Sequence, residues 1–511
     1  MKHLWPIAFS CLILPLGTLW TADAALAGQS QTQATASQRQ TNRQNALSSI
    51  KPAFFDLALH PVEDAQEQHW RTVLWSTAIT NPQDPFVAQG LAGILDKASQ
   101  PALSAGQQKI AAMGVKLAIQ LYSDYPEAYS AIPEKLLGVA RSSDDINLTA
   151  LALTGVEAMP TVQDQLAAVA AATKKRFPLW MLHERMKTTL EDLDWHLNPA
   201  SKSYPPLQDL LSFTPVPGMP TMYVLCRPDR KVPCRTLIKD SQGQFLQASG
   251  QLWSVSLLAR SLHNLRWNMQ AGNTPQGVFR VEGTLSPTPD TFRAFGQFPR
   301  FKLFMPFESE VKNFLPNRPG PFFGSLDDYR QLLPPSWRSY PPMAQSYWAG
   351  KIGRGLVRIH GTGEDPALFY GDNPTVASTA QSYPWNPSIG CLSALERYDA
   401  AGNLVEADMP KILEAFTKAQ PQPTVVPSSP PVQPWTADAT APVPATGAPS
   451  PGALGEAPIG APSKDVTAPT VPPAPASLEL QGYLVVADLP SSAPNPITLQ
   501  ELSAAVQSRT K

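Results

Sequence analysis

Leu356-Val357-Arg358-Ile359-His360-Gly361-Thr362 and, further on, Ser388-Ile389-Gly390-Cys391 are the stretches on which the reading turns. Leu356-Val357-Arg358-Ile359 reads as an alternating strand ending at His360, where the backbone is rigid and a side chain can face a cleft. Gly390 lets the chain turn tightly before Cys391 and leaves backbone N–H groups unshielded. Ser388 can tie that turn by a local hydrogen bond. A cysteine attacks as thiolate, and a nearby imidazole lowers its pKa and takes the proton. Cys391 and His360 are therefore the candidate catalytic pair. Gly390 and Ser388 are the candidate turn and oxyanion residues, and N–H donors of this kind typically contribute about 3–4 kcal/mol each. Gly361 and Thr362 stand beside the histidine as supporting or substrate-side residues. His263, in Leu262-His263-Asn264, is a rival base without a tight motif, and the basic Arg354-Gly355 reads as a solvated loop, with carboxylate binding as the alternative.

Strand-like texture extends around these motifs. Met222-Tyr223-Val224-Leu225, Trp253 to Leu258 and Val278-Phe279-Arg280-Val281 are short and β-prone, and Asn273 to Gly277 is a turn feeding the last of them. Residues 205–420 are thus expected as a β-rich domain. Before it, residues 53–204 read as all-α, with helices expected at 62–80, 84–98, 104–123, 132–141, 144–158, 161–175 and 178–193. Leu91, Ile94 and Leu95 share one apolar face, as do Ile110, Met113, Leu117 and Leu121. Paired helices of this length suggest a bundle or a short solenoid. His60, His69, His183 and His196 in or beside this region lack metal-ligand spacing and read as structural. No metal or cofactor is expected.

The chain has 511 residues, enough for two to four units, and a net charge of −1 that gives no argument for a nucleic-acid partner or an anionic membrane surface, so no nucleic acid is expected. Sixteen of its 55 prolines fall in 421–477, which reads as a disordered, semi-extended linker. Leu480 to Asp488 then reads as a strand. One strand cannot fold alone, so 478–490 either returns to the β-rich domain or pairs with a partner protein; the return is the favoured reading. Residues 491–511 are left as a tail.

Lys2, the apolar run Leu4 to Trp20 and the small residues Ala22-Asp23-Ala24 and Ala25-Leu26-Ala27 read as an export signal over 1–27, cleaved after Ala27. An uncleaved anchor is the alternative. Residues 28–52, rich in Gln, Thr, Ser and Ala, read as a disordered leader. No later segment reaches the ~20 apolar residues of a transmembrane helix. The mature chain is expected outside the cytoplasm, secreted or periplasmic, where disulfides persist. Cys226 and Cys234 flank a plausible hairpin, and a disulfide between them would be local. Cys391 is then the odd thiol, to be flagged as reactive.

The chain resembles the L,D-transpeptidase family of the YkuD type. The resemblance rests on Thr274-Pro275-Gln276-Gly277-Val278-Phe279, then Ile359 to Thr362, then Ser388 to Cys391, in the family's order. It covers roughly 215–420, with Met409 to Lys418 as the helix after the cysteine and Leu484-Val485-Val486 as the closing strand. It implies that Cys391 attacks the carbonyl after the third residue of a peptidoglycan stem tetrapeptide. An acyl-enzyme forms and the terminal D-residue leaves. An amine then makes a cross-link, or water trims the stem. It further implies that His360 is oriented by a main-chain carbonyl near Gly361, and that the N–H groups of Gly390 and Cys391 form the oxyanion hole.

Two departures stand out. Here 27 residues separate His360 from Ser388, and Glu364 to Pro387 reads as a lid or substrate loop. Leu392-Ser393 follows the cysteine where the family commonly has Ile-Arg or Val-Asn. The alternatives are a catalytically weakened relative that binds stems or partners, and an unrelated secreted cysteine peptidase. The helical domain could bind glycan, a partner or the catalytic face.

Overall fold

Helices begin where the sequence supplies caps and apolar stripes. Ser104 and Gln107 form a capping box for Ala105–Asp124, and the Asp145 carboxylate accepts from the N–H groups of Asn147 and Leu148 to start Ile146–Val156. The structure is a computed structural model that describes residues 33–198, 203–363, 385–421, 478–490 and 496–507. Export segment 1–27, linker residues 422–477 and most of the 364–387 stretch lie outside the described residues.

Seven helices make up the bulk of the N-terminal part: Glu67–Thr80, Pro85–Ala98, Ala105–Asp124, Ile132–Ser142, Ile146–Val156, Leu166–Arg176 and Glu184–Leu197. Ala105–Asp124 lies at the centre, packed on Glu67–Thr80, Pro85–Ala98 and Ile146–Val156. Leu91, Ile94, Leu95, Ile110, Leu117 and Leu121 are buried in one continuous apolar core, while Met113 lies at its margin.

The β-rich part is an eight-stranded closed barrel. Its strands are β1 (Thr221–Cys226), β2 (Cys234–Lys239), β3 (Val255–Leu258), β4 (Gly277–Leu285), β5 (Arg300–Phe304), β6 (Val357–His360), β7 (Leu392–Ala394) and β8 (Gln481–Asp488). Around the barrel the order is β1, β8, β4, β5, β6, β7, β3, β2. β8 runs parallel to β1, with Thr221 opposite Tyr483, and antiparallel to β4, with Leu484 opposite Phe279. The segment 478–490 is therefore a central member of the barrel. Asp488 fastens its end: the carboxylate accepts from Arg230 Nε at 2.6 Å and Gln276 Nε2 at 2.8 Å, and the Asp488 N–H donates to Gln276 Oε1 at 2.9 Å.

Alternation sorts the barrel side chains onto two faces. Phe301, Leu303, Val357, Ile359 and Leu392 share one buried cluster with Met409, Ile412 and Phe416 of the helix Met409–Lys418. Tyr223, Leu225, Val278, Tyr483 and Val485 belong to another, covered by Phe314, Tyr329 and Trp337. Cys226 and Cys234 are disulfide-bonded across the β1–β2 hairpin.

The helical part and the barrel share a core. The β3–β4 loop sends Leu262, Leu265 and Met269 into the apolar cluster of the helices. Full burial of each such side chain contributes roughly 1.5–3 kcal/mol. All described residues belong to one compact unit.

Three expectations are corrected. Residues 33–52, read as disordered, contain the helix Ala36–Ser48. It buries no side chain, so no apolar stripe announced it. It is held at its start instead: Thr35 caps the Gln38 N–H, and the Ala36 N–H donates to the Ala400 carbonyl at 3.0 Å. The tail contains the helix Leu499–Gln507, docked by buried Leu502 and by Glu501 paired with Arg227 at 3.1 Å. Trp253 and Ser254 precede β3 rather than belonging to it. Among the described residues no helix is long and apolar enough to cross a membrane.

Candidate active site

His360 ends β6, and Cys391 immediately precedes β7, which runs parallel to β6 with Ile359 opposite Leu392 and His360 opposite Ser393. Ile359 and Leu392 point into the apolar cluster, so the alternating residues Arg358, His360, Cys391 and Ser393 take the other face. That face is covered: His360 is 3% exposed and Cys391 9%.

The histidine is held in one tautomer. Its Nδ1 lies 2.6 Å from the Gly361 carbonyl. A carbonyl only accepts, so Nδ1 carries the hydrogen and Nε2 is the basic nitrogen. Burial pulls the imidazole down to about 4, against the Gly361 hydrogen bond, and the positive charges of Arg300 and Arg358 lower it further. The ring is neutral at neutral pH and can accept a proton. Phe295 meets it edge-on, with centroids 4.9 Å apart.

The cysteine turn is tied as a unit. Ser388 Oγ donates to the Cys391 carbonyl at 2.7 Å and accepts from the Gly390 N–H at 3.3 Å. Thr274 Oγ1 donates to the Gly390 carbonyl at 3.1 Å. Gly390 has φ +123°, and a Cβ there would lie 2.9 Å from Arg354 Nη2 and 3.0 Å from the Gly272 carbonyl, so glycine is required. The Gly390 N–H is thus engaged by Ser388 rather than presented as an open oxyanion donor.

The thiol faces the Leu356 carbonyl at 3.7 Å. No hydrogen bond joins it to the imidazole in this conformation. Burial pushes the thiol up. The Arg358 N–H and the guanidiniums of Arg358, Arg354 and Arg300 pull the other way without cancelling it. The resting pair is therefore neutral thiol and neutral imidazole, and attack needs proton transfer as the bond forms.

Arg354 is no solvated loop residue. It is 5% exposed, and its guanidinium donates to the carbonyls of Trp267, Gly272 (2.9 Å) and Asn273 (3.1 Å). It braces the loop that backs Gly390. Leu392 and Ser393, the two residues after Cys391, are buried and carry no charge, so neither supplies a cation. The cations near the thiol come from β5, from β6 and from the turn before β6.

Glu396 escaped the sequence reading. It follows β7, is 3% exposed, and accepts from the Gln297 N–H at 2.9 Å and from the Tyr398 hydroxyl. A Cβ on Gly361 would overlap its Oε2, at 1.6 Å. Thr362 adds an N–H to the carboxylate and sends its hydroxyl to the Arg293 carbonyl at 3.1 Å. Burial pushes the Glu396 carboxyl up to about 7, against these hydrogen bonds. Glu396 thus sits under the His360-Gly361-Thr362 turn. No local motif marks it, because its partners come from distant segments.

The other sequence candidates lie elsewhere. His263 bonds Gln120 Oε1 at 2.9 Å inside the helical contact, and burial pulls it down to about 3. His60 stacks on His69 with centroids 3.7 Å apart, and His183 caps a helix through the Met186 N–H. Glu157, Asp192 and His196 converge within 4.8 Å, the spacing of a metal site. Arg266 occupies that cluster, 2.5 Å from Asp192 and 3.5 Å from Glu157. Its cation already answers the carboxylates, so the group is an ion-pair network tying the β3–β4 loop to the helices. Comparison with protein-family models, with curated proteins and with solved structures finds no match to this chain.

Proposed function

We propose that this chain is a secreted or periplasmic L,D-transpeptidase-like acyltransferase that acts on peptidoglycan stem peptides. The observation that carries the reading is the convergence of Cys391 with a neutral, tautomer-locked His360 on one face of adjacent strands. The ordered motifs at Thr274–Phe279, Ile359–Thr362 and Ser388–Cys391 support the substrate class.

In this mechanism the Cys391 sulfur bonds to the acyl carbon while the thiol proton passes to His360 Nε2. The tetrahedral oxyanion is met by the Cys391 N–H and by the Gly390 N–H once it leaves Ser388; a donor of this kind is worth about 3–4 kcal/mol. The C–N bond then breaks, and His360 returns the proton to the departing amine. A stem amine resolves the thioester as a cross-link, or water resolves it as trimming.

A second reading has one observation in its favour. The thiol points to the Leu356 carbonyl rather than to the imidazole, which suits a relative that binds stems without turning them over. Incubation with tetrapeptide stems, followed by intact-protein mass spectrometry, separates the two. An adduct on wild type that disappears in Cys391→Ala is expected. Binding without an adduct selects the second reading, and an adduct that survives Cys391→Ala rejects the mechanism.

A further inference from the structure

The strands that carry the pair also carry cations. β5 pairs antiparallel with β6, with Phe301 opposite Ile359 and Lys302 opposite Arg358. Continued by one residue, this register sets Arg300 opposite His360. Opposed residues share a face, as do residues two apart on one strand. Arg300, Arg358 and His360 therefore project together, on the face that Cys391 shares. The Arg300 guanidinium lies 4.3 Å from the centre of the Phe295 ring, the ring that meets His360 edge-on.

These two guanidiniums are under-satisfied. Arg354 nearby is answered by three carbonyls. Arg358, 7% exposed, donates only to the Val357 carbonyl among the described residues. Arg300 Nε is buried without a hydrogen-bond partner. Among the described residues neither forms an ion pair. For buried Arg358, an unpaired cation is unfavourable unless something arrives to pair it, while half-buried Arg300 stays open to an incoming anion. Planar guanidiniums suit carboxylates, which they bind through two parallel hydrogen bonds.

We propose that Arg300 and Arg358 form the receptor for the carboxylate of the leaving residue, so that the site selects acyl donors ending in a free carboxylate one carbon from the scissile nitrogen. The inference rests on the acyl-transfer reading and specifies its donor. The departing amine must lie at His360 to receive its proton. Its own carboxylate is attached through a single carbon, which brings it to Arg300, the residue opposite His360. The Cys391 S–C bond forms, the C–N bond breaks, the proton travels through His360, and the residue leaves with its carboxylate still charged. Donors with an amidated or extended terminus lack that charge in that place.

Two stem tetrapeptides, identical except for a terminal carboxylate or carboxamide, test this on the full chain. The readout is the rate of Cys391 acylation by intact-protein mass spectrometry. Wild type is expected to favour the acid by about tenfold or more, the range of a charge-assisted hydrogen bond. In Arg300→Gln the acid-to-amide ratio falls toward one, and Arg300→Lys restores part of it. Arg358→Gln supplies a second variant, and circular dichroism with a cooperative urea transition reports that each variant is folded. Equal rates for both probes in wild type overturn the receptor while leaving acyl transfer intact. An unchanged ratio in both folded glutamine variants does the same. No adduct from either probe in wild type overturns acyl transfer, and the receptor with it.

Discussion

The Leu262 N–H donates to the Ser388 carbonyl at 2.7 Å, joining a loop rooted in the helical core to the turn that carries Cys391. Ser261 and Ser388 form a bridge at the same point. Leu262, Leu265 and Met269 bury in the helical cluster. The nucleophile turn is thereby built partly on the helices.

Leu265→Ala tests that dependence. Leu265 is fully buried, and removing such a side chain costs about 2–5 kcal/mol. Denaturation followed by tryptophan fluorescence is expected to shift as one transition, because the two parts share a core. Iodoacetamide labelling of Cys391 should become faster, since the loop behind Gly390 loosens. Two separate transitions, only one of them shifted, would contradict the shared core.

The pair should show a defined pH profile. His360 is pulled down to about 4 by burial, so the base form persists from pH 5 upward and acylation fails only as pH falls toward 4. The thiol is pushed up by burial, so labelling of Cys391 should keep rising beyond the range of an ordinary thiol. Arg300→Gln removes a positive charge from both groups. The imidazole pKa then rises and the thiol pKa rises further. A labelling profile that moves down in Arg300→Gln would refute this electrostatic picture.

Glu396 should make stability fall with rising pH. Its carboxyl is raised to about 7 in the folded chain from an ordinary value of 4.5. The native state therefore binds more protons than the unfolded state between those values. Stability from this group is complete below pH 4.5 and is lost as pH rises through 7, amounting to roughly 3 kcal/mol. Glu396→Gln, which cannot ionise, should erase the slope, so that the variant gains on wild type at pH 8. Urea denaturation at pH 4.5 and pH 8 measures both ends; parallel curves for the two proteins would count against the assignment.

Gly390→Ala should abolish acylation while leaving most of the fold in place. The residue has φ +123°, and a methyl group would press on Arg354 and the Gly272 carbonyl. Circular dichroism close to wild type with no acyl adduct is the expected outcome. Full activity in this variant would show that the turn adapts freely.

The sequence by itself determined the local elements. Leu91, Ile94 and Leu95 marked the apolar face of a helix, Val357-Arg358-Ile359 marked a strand ending at His360, and Cys391 stood out as the thiol without a hairpin partner. Each is legible because apolar periodicity, alternation and spacing act over a few residues. The tertiary structure alone decided what those elements meet. Gln481–Asp488 lies between β1 and β4, and Arg300 comes opposite His360 through β5–β6 pairing. Glu396 reaches Gly361 and Gln297. Register and long-range pairing depend on which faces must be buried together, and no short window of residues encodes that.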